Sequence, residues 1–105
     1  MIPNKALDAR EVYQLLKDVA LGIREIRNAS ETTWSQTYCG NVHFYIDGWK
    51  ITFYNDCGEL DYCDECISPD GRIGTYETWS RFGTDPLQLL SLWERGQIEA
   101  RLQEL

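Results

Sequence analysis

The chain has little positive charge and no long apolar run. Ten lysines and arginines stand against seventeen acidic residues, so the formal net charge is −7 over 105 residues. Because Lys and Arg supply most contacts to phosphates, this balance disfavours nucleic-acid binding. No apolar run approaches the roughly 18 residues of a membrane span, and no apolar signal region begins the sequence. We therefore expect a soluble cytoplasmic protein without a membrane partner.

Other familiar signatures are missing as well. The sequence has no internal repeat, linker or low-complexity segment, and residues 1–105 are expected to form a single domain. It has no glycine-rich phosphate loop, and the acidic segment 56–61 does not follow the EF-hand ligand pattern. With one histidine and no catalytic motif, the chain is not expected to be an enzyme.

The acidic residues are concentrated in one quarter of the chain. Residues 47–70 contain seven Asp and Glu against a single lysine, a local balance of −6. Eleven of the thirteen aromatic residues lie between Trp34 and Phe82. This aromatic content indicates a packed fold and not a disordered acidic tail.

The first predicted element is an amphipathic helix. Asp8 followed by Glu11 is typical of an N-cap with its capping-box partner. Apolar residues then recur at helical spacing up to Ile26, and most charged residues fall away from that stripe. The pattern predicts a helix from residue 8 to about Asn28, packed on a sheet.

The centre of the chain predicts an antiparallel meander. Asp47-Gly48 is typical of a two-residue type I′ turn, since both residues tolerate positive φ. This turn places apolar residues opposite one another on a core face, in the pairs Ile46–Trp49, Phe44–Ile51 and Val42–Phe53. The opposite face then carries polar and aromatic residues, namely His43, Tyr45, Lys50, Thr52 and Tyr54.

Further strands are expected on both sides of this hairpin. A turn at Gly40-Asn41 predicts a preceding strand, with Cys39 on the core face and Trp34 and Tyr38 on the opposite face. A strand over 59–66 is expected to follow. Its core residues would be Leu60 and Tyr62, and its opposite face would carry Glu59, Asp61 and Cys63. A last short strand is expected at 72–79.

The C-terminal segment is expected to be helical. Asp85-Pro86 is typical of an N-cap followed by proline in the first turn. Ser91 with Glu94 forms a second capping-box pattern. These signals predict a short helical turn at 86–90 and a helix over about 92–104. The predicted fold class is α+β, with an N-terminal helix, an antiparallel three- to five-stranded meander and a C-terminal helical segment.

The four cysteines are candidate zinc ligands or redox groups. Cys63 and Cys66 have Cys-x₂-Cys spacing, and Cys57 with Cys39 or His43 would complete a four-ligand set. However, residues three apart on a strand point to opposite faces, and nearby acids favour the neutral thiol. Ordinary thiols are therefore favoured, and a cysteine-based zinc or redox domain is the alternative. A nucleophilic pair of Cys63 with His43 is disfavoured because no helix N-terminus or evident cation activates the thiol.

The sheet face opposite the core is the candidate binding site. It is expected to combine amphipathic aromatic residues with carboxylates along its edge, namely Trp34, Tyr38, His43, Tyr45, Tyr54, Glu59 and Asp61. Such a face suits a basic protein surface through cation–π contacts and charge complementarity. The leading hypothesis is a protein-binding or regulatory module, with an inhibitor or immunity protein as one form. Coverage by the C-terminal helix and homodimerisation are the alternatives.

Several short segments of the sequence resemble segments of a known family. They are Asp47-Gly48-Trp49, Phe53 through Cys57, Glu59 through Tyr62, Ser68 through Arg72, and Asp85-Pro86-Leu87 with Leu89-Leu90-Ser91. With them, most of the chain resembles a family of small uncharacterised bacterial proteins of pseudomonad type. The resemblance implies a domain of unknown function and supplies no active site. It makes the Asn55-Asp56-Cys57 turn more characteristic than Cys63 and Cys66, which lowers the expectation of zinc.

Overall fold

Helices cover one face of a five-stranded antiparallel sheet in the computed structural model, which describes residues 6–105. The helices are α1 (Ala9–Ala20), α2 (Tyr76–Phe82), α3 (Pro86–Leu89) and α4 (Leu92–Glu104). The strands are β1 (Ile26–Asn28), β2 (Cys39–Ile46), β3 (Trp49–Asp56), β4 (Glu59–Ile67) and β5 (Ile73–Thr75). Each strand pairs with its neighbour in the chain, so the predicted α+β meander is confirmed.

The hydrophobic core lies between the helices and one face of the sheet. Buried residues from every layer contribute to it, among them Val12, Leu16, Val19, Phe44, Phe53, Leu87, Ile98 and Leu102. The C-terminal helix α4 thus belongs to the core side through Ile98 and Leu102. It does not cover the opposite face of the sheet.

The central hairpin has the register that the sequence predicts. Asp47 and Gly48 form its turn with φ values of 44° and 84°, as a type I′ turn requires. The facing pairs on the core side are Ile46–Trp49, Phe44–Ile51 and Val42–Phe53. The predicted register of β2 and β3 is therefore confirmed.

Helix α1 is shorter than the apolar pattern predicts. Asp8 and Glu11 form the expected capping box, but the helix ends at Ala20 and not near Asn28. Ile26, assigned to the helix stripe, is instead buried in β1. The prediction was wrong because apolar spacing alone does not distinguish a helix from a helix followed by a short strand.

A Schellman motif stops α1. Gly22 adopts φ of 79°, and its N–H donates to the Val19 carbonyl at 3.0 Å. The N–H of Ile23 donates to the Asp18 carbonyl at 2.8 Å. This pair of bonds terminates a helix when glycine occupies the left-handed position.

The segment 30–38 forms turns and not the predicted strand. The N–H of Gln36 donates to Thr33 Oγ1 at 3.2 Å, and Thr37 Oγ1 donates to the Thr33 carbonyl at 2.9 Å. Such local bonds compete with a strand ladder. Trp34 consequently lies in the core with 1% exposure, which corrects its predicted place on the opposite face.

The strand that pairs with β2 on the side away from β3 is β1, with Ile26 opposite Ile46. β2 itself runs through Gly40 and Asn41, so the turn predicted there is wrong. Cys39 begins this strand and is exposed, not part of the core.

Strand β4 contains two extra residues relative to β3. Asp61 and Asp64 have no partner in the pairs Asn55–Leu60, Tyr54–Tyr62, Phe53–Cys63 and Thr52–Glu65. Each such bulge shifts the following side chains to the other face. Leu60 is buried as predicted, but Tyr62 lies on the face opposite the core and Cys63 is fully buried. Both predictions failed because period-two counting assumes a regular strand.

Helix α2 replaces the second half of the strand predicted at 72–79. Thr75 ends β5 and caps α2 by accepting the Thr78 N–H at 3.3 Å. Trp79 is buried, and its Nε1–H donates to the Leu7 carbonyl at 3.0 Å. This contact ties α2 to the segment that precedes α1.

The C-terminal helices begin at their predicted caps. Asp85 and Ser91 accept backbone N–H groups of the first turns, and Gln88 and Glu94 complete the two capping boxes. The predicted short helical turn and longer helix are confirmed.

Side chains from these helices complete the outer edge of β4. Because β5 pairs only from Glu65 onward, the earlier part of this edge has no strand neighbour among residues 6–105. The Cys63 N–H donates to the buried Asp85 carboxylate at 3.1 Å. Arg95 donates to the carbonyls of Leu60 and Asp61.

Gly74→Ala is expected to destabilise the fold. A Cβ at Gly74 would lie 2.5 Å from both the Leu7 carbonyl oxygen and the Trp79 indole. Forced overpacking of this kind costs about 1–3 kcal/mol. Gly96→Ala is the matched control, because Gly96 lies within α4 with open space around it. That variant should gain about 1 kcal/mol. Urea unfolding measures both; equal effects of the two substitutions would contradict the packing at Gly74.

Asp85→Asn is expected to remove one pH dependence of stability. Desolvation raises the pKa of Asp85 from 3.8 to about 6, although hydrogen bonds from Leu87 and Cys63 lower it. The folded state therefore keeps this proton at pH values where the unfolded chain has lost it. The linked stability is fully present below about pH 4 and declines as the pH rises through 6.

Unfolding free energies near pH 4 and near pH 7 test this. Wild type should lose roughly 2 kcal/mol relative to Asp85→Asn between the two conditions. A difference between wild type and variant that does not change with pH would show that Asp85 ionises normally.

Candidate functional site

The sheet surface opposite the core is open to solvent. We call it the open face; it comprises His43, Tyr45, Lys50, Thr52, Tyr54, Tyr62 and Glu65, which the register places on one side. The helical core cluster packs on the other side. Tyr45 is 46% exposed, and His43 and Lys50 are exposed as well.

A row of tyrosines crosses one half of the open face. The rings of Tyr54 and Tyr62 stack with centroids 5.1 Å apart and an interplanar angle of 9°. Tyr76, at the start of α2, continues the row with its centroid 4.4 Å from that of Tyr62. Mutual packing holds these rings in place while Tyr76 remains exposed. Rigid amphipathic rings of this kind are enriched in protein interfaces.

Carboxylates lie beside the tyrosine row and at the adjoining ends of β3 and β4. We call Asp56, Glu59, Asp61 and Asp64 the acidic end of the open face. Asp64 reaches across β3 and accepts a bond from Asn41 Nδ2 at 3.4 Å. Burial, together with the nearby Asp64 and Asp61 carboxylates, raises the pKa of Tyr62.

The acidic end has no cationic partner in the described chain. Six ion pairs occur among residues 6–105, and none of them includes a carboxylate of the acidic end. By contrast, Arg24 and Arg72 each pair with two acids elsewhere. The carboxylates of the acidic end therefore lie beside exposed aromatic surface without an ion pair, and Arg95 contacts Asp61 through the main-chain carbonyl, at 3.2 Å.

Two basic side chains, Lys50 and Arg27, lie at the other end of the open face, where Arg27 pairs with Glu25 at 3.8 Å. Lys50 lies opposite Tyr45, which also faces Arg27 on β1. Between the ends, His43 Nδ1 lies 2.8 Å from Thr52 Oγ1 and borders a depression of about 220 Å³. Excess negative charge therefore lies at the acidic end, whereas basic and acidic side chains are mixed at the other end.

The predicted site residues separate into three places. His43, Tyr45 and Tyr54 share the open face, with Glu59 and Asp61 at its acidic end. Tyr38 is 78% exposed just before β2. Trp34 is buried in the core and cannot contribute to this surface.

The structure adds Tyr62, Tyr76 and Asp64, which sequence reasoning missed. Period-two counting misplaced Tyr62, and the strand predicted through residue 79 concealed the helix that carries Tyr76. The two aspartates within β4 were the available signal, since Asp is depleted in regular strands. The bulges lie at those acids, Asp61 and Asp64.

The four cysteines do not form one site. Cys63 and Cys66 are buried in the core, where desolvation raises the pKa of both thiols, to about 12 for Cys66. Cys39 and Cys57 are exposed beyond the tyrosine row. The proposed nucleophilic pair of Cys63 with His43 is not formed either, because the two residues lie on opposite faces of the sheet.

The two exposed thiols touch. Cys39 Sγ lies 3.2 Å from Cys57 Sγ, and Asp56 contributes the third group of a cluster whose ligand atoms lie within 4.8 Å of one another. Hydrogen bonding with Cys39 raises the pKa of the Cys57 thiol. The Cys57 thiol is accordingly protonated near neutral pH.

Cys57 occupies a strained backbone position. Cys57 and Gly58 form the β3–β4 turn with φ values of 53° and 96°, the same type I′ geometry as Asp47-Gly48. Asn or Asp is preferred at the first position, and left-handed residues other than Gly, Asn and Asp cost roughly 1–2 kcal/mol. The protein accepts this cost and places a thiol against Cys39.

The buried Asn55 side chain holds this pair together. Its Oδ1 accepts the Gly58 N–H at 2.6 Å, which fixes the turn that carries Cys57. Its Nδ2 donates to the carbonyls of Trp34 at 3.2 Å and Thr37 at 3.1 Å, which fixes the segment before Cys39. One side chain therefore connects the two cysteine-bearing segments.

Fold and site together define an α+β domain with a tyrosine-bearing sheet face that is acidic at one end. The chain belongs to the family described as "Domain of unknown function (DUF7693)", whose model matches residues 6–104. The resemblance to a family of unknown function is thereby confirmed, while bacterial origin stays a prediction. Neither the curated proteins nor the solved structures give a match to this chain. Within residues 6–105, every helix is too short or too polar to cross a bilayer.

Proposed function

We propose that this protein is a non-enzymatic protein-binding module that uses the acidic half of the open face against a basic protein surface. The observation that carries the proposal is the tyrosine row flanked by carboxylates that have no cationic partner among residues 6–105. Arg and Lys of a partner would neutralise the carboxylates and pack on the tyrosine rings.

In this proposal the carboxylates and the tyrosines have different roles in binding. Clustered carboxylates accelerate association with a cationic surface, because long-range attraction steers the encounter. Tyr54 and Tyr62 then supply apolar contact area that is already held in position by stacking. An inhibitor or immunity protein that caps a basic enzyme surface would use such a face, in a cytoplasmic setting.

The alternative of a four-cysteine zinc or redox domain has less support. Its ligand set is divided between the buried Cys63 and Cys66 and the exposed Cys39 and Cys57. Raised pKa values also keep the two buried thiols protonated, whereas zinc binds the thiolate.

Charge removal at the bulges tests the binding proposal. Asp61→Asn combined with Asp64→Asn removes two charges from the acidic end and keeps side-chain size. Once capture at low salt has identified a basic partner, stopped-flow mixing measures the association rate constant. We expect the double variant to associate roughly tenfold more slowly at low salt. Raising the salt from about 50 to about 300 mM should slow wild type toward the variant.

Glu25→Gln combined with Glu104→Gln is the matched control. These two carboxylates adjoin one groove at the C-terminal end of α4, and Glu25 pairs with Arg27 at the end of the open face remote from the acidic end. Their removal changes the net charge by the same amount. The control should associate at nearly the wild-type rate. Equal slowing in both double variants would mean that total charge, and not the acidic end, governs binding.

The same double variant also tests whether the open face binds a second copy of this protein instead of a different protein. A two-fold arrangement would set Lys50 and Arg27 of one copy against the acidic end of another. Sedimentation of the free protein at low and high salt distinguishes this case. A salt-sensitive dimer lost in the Asp61→Asn, Asp64→Asn variant would overturn the heterologous partner in favour of homodimerisation.

A further inference from the structure

We infer that Cys39 and Cys57 are a redox-active dithiol that closes to a reversible intramolecular disulfide. The Sγ atoms lie 3.2 Å apart, and a disulfide requires about 2.0 Å. Both residues are exposed, so an oxidant can reach them. This inference is independent of partner binding by the open face.

The surrounding structure orders the pair before reaction. Cys39 lies opposite Asp56 in the β2–β3 ladder, which places it beside the turn that carries Cys57. Asn55 bonds that turn and the segment before Cys39 simultaneously. Two thiols held in contact react as an intramolecular pair, with an effective concentration far above that of a free thiol.

The choice of residue at the turn supports a role for the thiol. The hairpin turn at 47–48 has the same geometry and uses Asp, a residue that suits it. The turn at 57–58 uses Cys at the equivalent position, where the side chain has no packing role in the core. Strain kept at an exposed reactive group indicates function.

The oxidant in this proposal is a low-molecular-weight disulfide. A thiolate of one cysteine attacks a sulfur of that disulfide, breaks its S–S bond and releases one small thiol. The second cysteine then attacks the mixed disulfide, forms the Cys39–Cys57 bond and releases the other small thiol. Two electrons pass to the oxidant, and the two thiol protons leave with the products. A dithiol reductant reverses both steps.

The buried cysteines provide an internal control. Cys63 and Cys66 are enclosed in the core and are therefore protected from exchange in the folded protein. Oxidation of the native chain should consume the exposed pair alone. Because attack needs the thiolate, oxidation of the exposed pair should become faster as the pH rises above neutrality.

Equilibration with mixtures of oxidised and reduced glutathione, with a chelator present, tests the inference. Alkylation in denaturant followed by peptide mapping should show one disulfide joining the Cys39 and Cys57 peptides, with the core cysteines alkylated. Dithiothreitol should restore four free thiols, the number in the reduced chain. Stable glutathione adducts or disulfide-linked dimers, in place of the internal disulfide, would overturn the inference.

Two variants remove one thiol each without disturbing the core. Cys57→Asn suits the left-handed turn position, and Cys39→Ser alters an exposed strand end. In each variant the remaining exposed cysteine should accumulate as a mixed disulfide with glutathione, because no second thiol can displace it. If the mixed disulfide disappeared from either variant as fast as it does from wild type, Cys39 and Cys57 would not be acting as a pair.

Discussion

The part of the outer edge of β4 that precedes Glu65 is completed by side chains and not by β5, and the rest of the structure depends on that arrangement. The Asp85 carboxylate accepts the Cys63 N–H, while Arg95 donates to the carbonyls of Leu60 and Asp61. A buried backbone group left without a partner destabilises a fold by about 1–3 kcal/mol. The C-terminal helices are therefore positioned on the sheet by backbone hydrogen bonding as well as by apolar packing.

The two bulges in the β3–β4 pairing decide which β4 side chains enter the core and which lie on the open face. Each extra residue in β4 reverses the side-chain alternation, so the core receives Cys63 and the open face receives Tyr62. The same irregularity brings two carboxylates, Asp61 and Asp64, beside the tyrosine row. These two departures from regular pairing therefore place a thiol in the core, and they place a stacked tyrosine and two carboxylates at the open face.

The exposed cysteines lie at the same end of the sheet as this charge. Asn55 is fully buried and bonds to both segments that carry them. The contact with Cys39 and the neighbouring Asp56 carboxylate raise the pKa of the Cys57 thiol, so attack by Cys57 is slow near neutral pH and faster in alkaline conditions. The acidic end and the Cys39–Cys57 pair are thus neighbours, but neither proposed role depends on the other.

The sequence by itself determined the capping boxes, the type I′ hairpin and its register, because those features depend on residues close together in the chain. It also contained the signal for the end of α1, Gly22, which apolar periodicity obscured. Tertiary structure alone decided the bulges, the burial of Trp34 and the contact between Cys39 and Cys57. The bulges interrupt the β3–β4 pairing, and the adjoining β4 backbone bonds to side chains more than twenty residues away, Cys63 to Asp85 and Asp61 to Arg95. Period-two counting within β4 cannot detect such distant contacts, so only the tertiary structure decides which face each β4 side chain occupies.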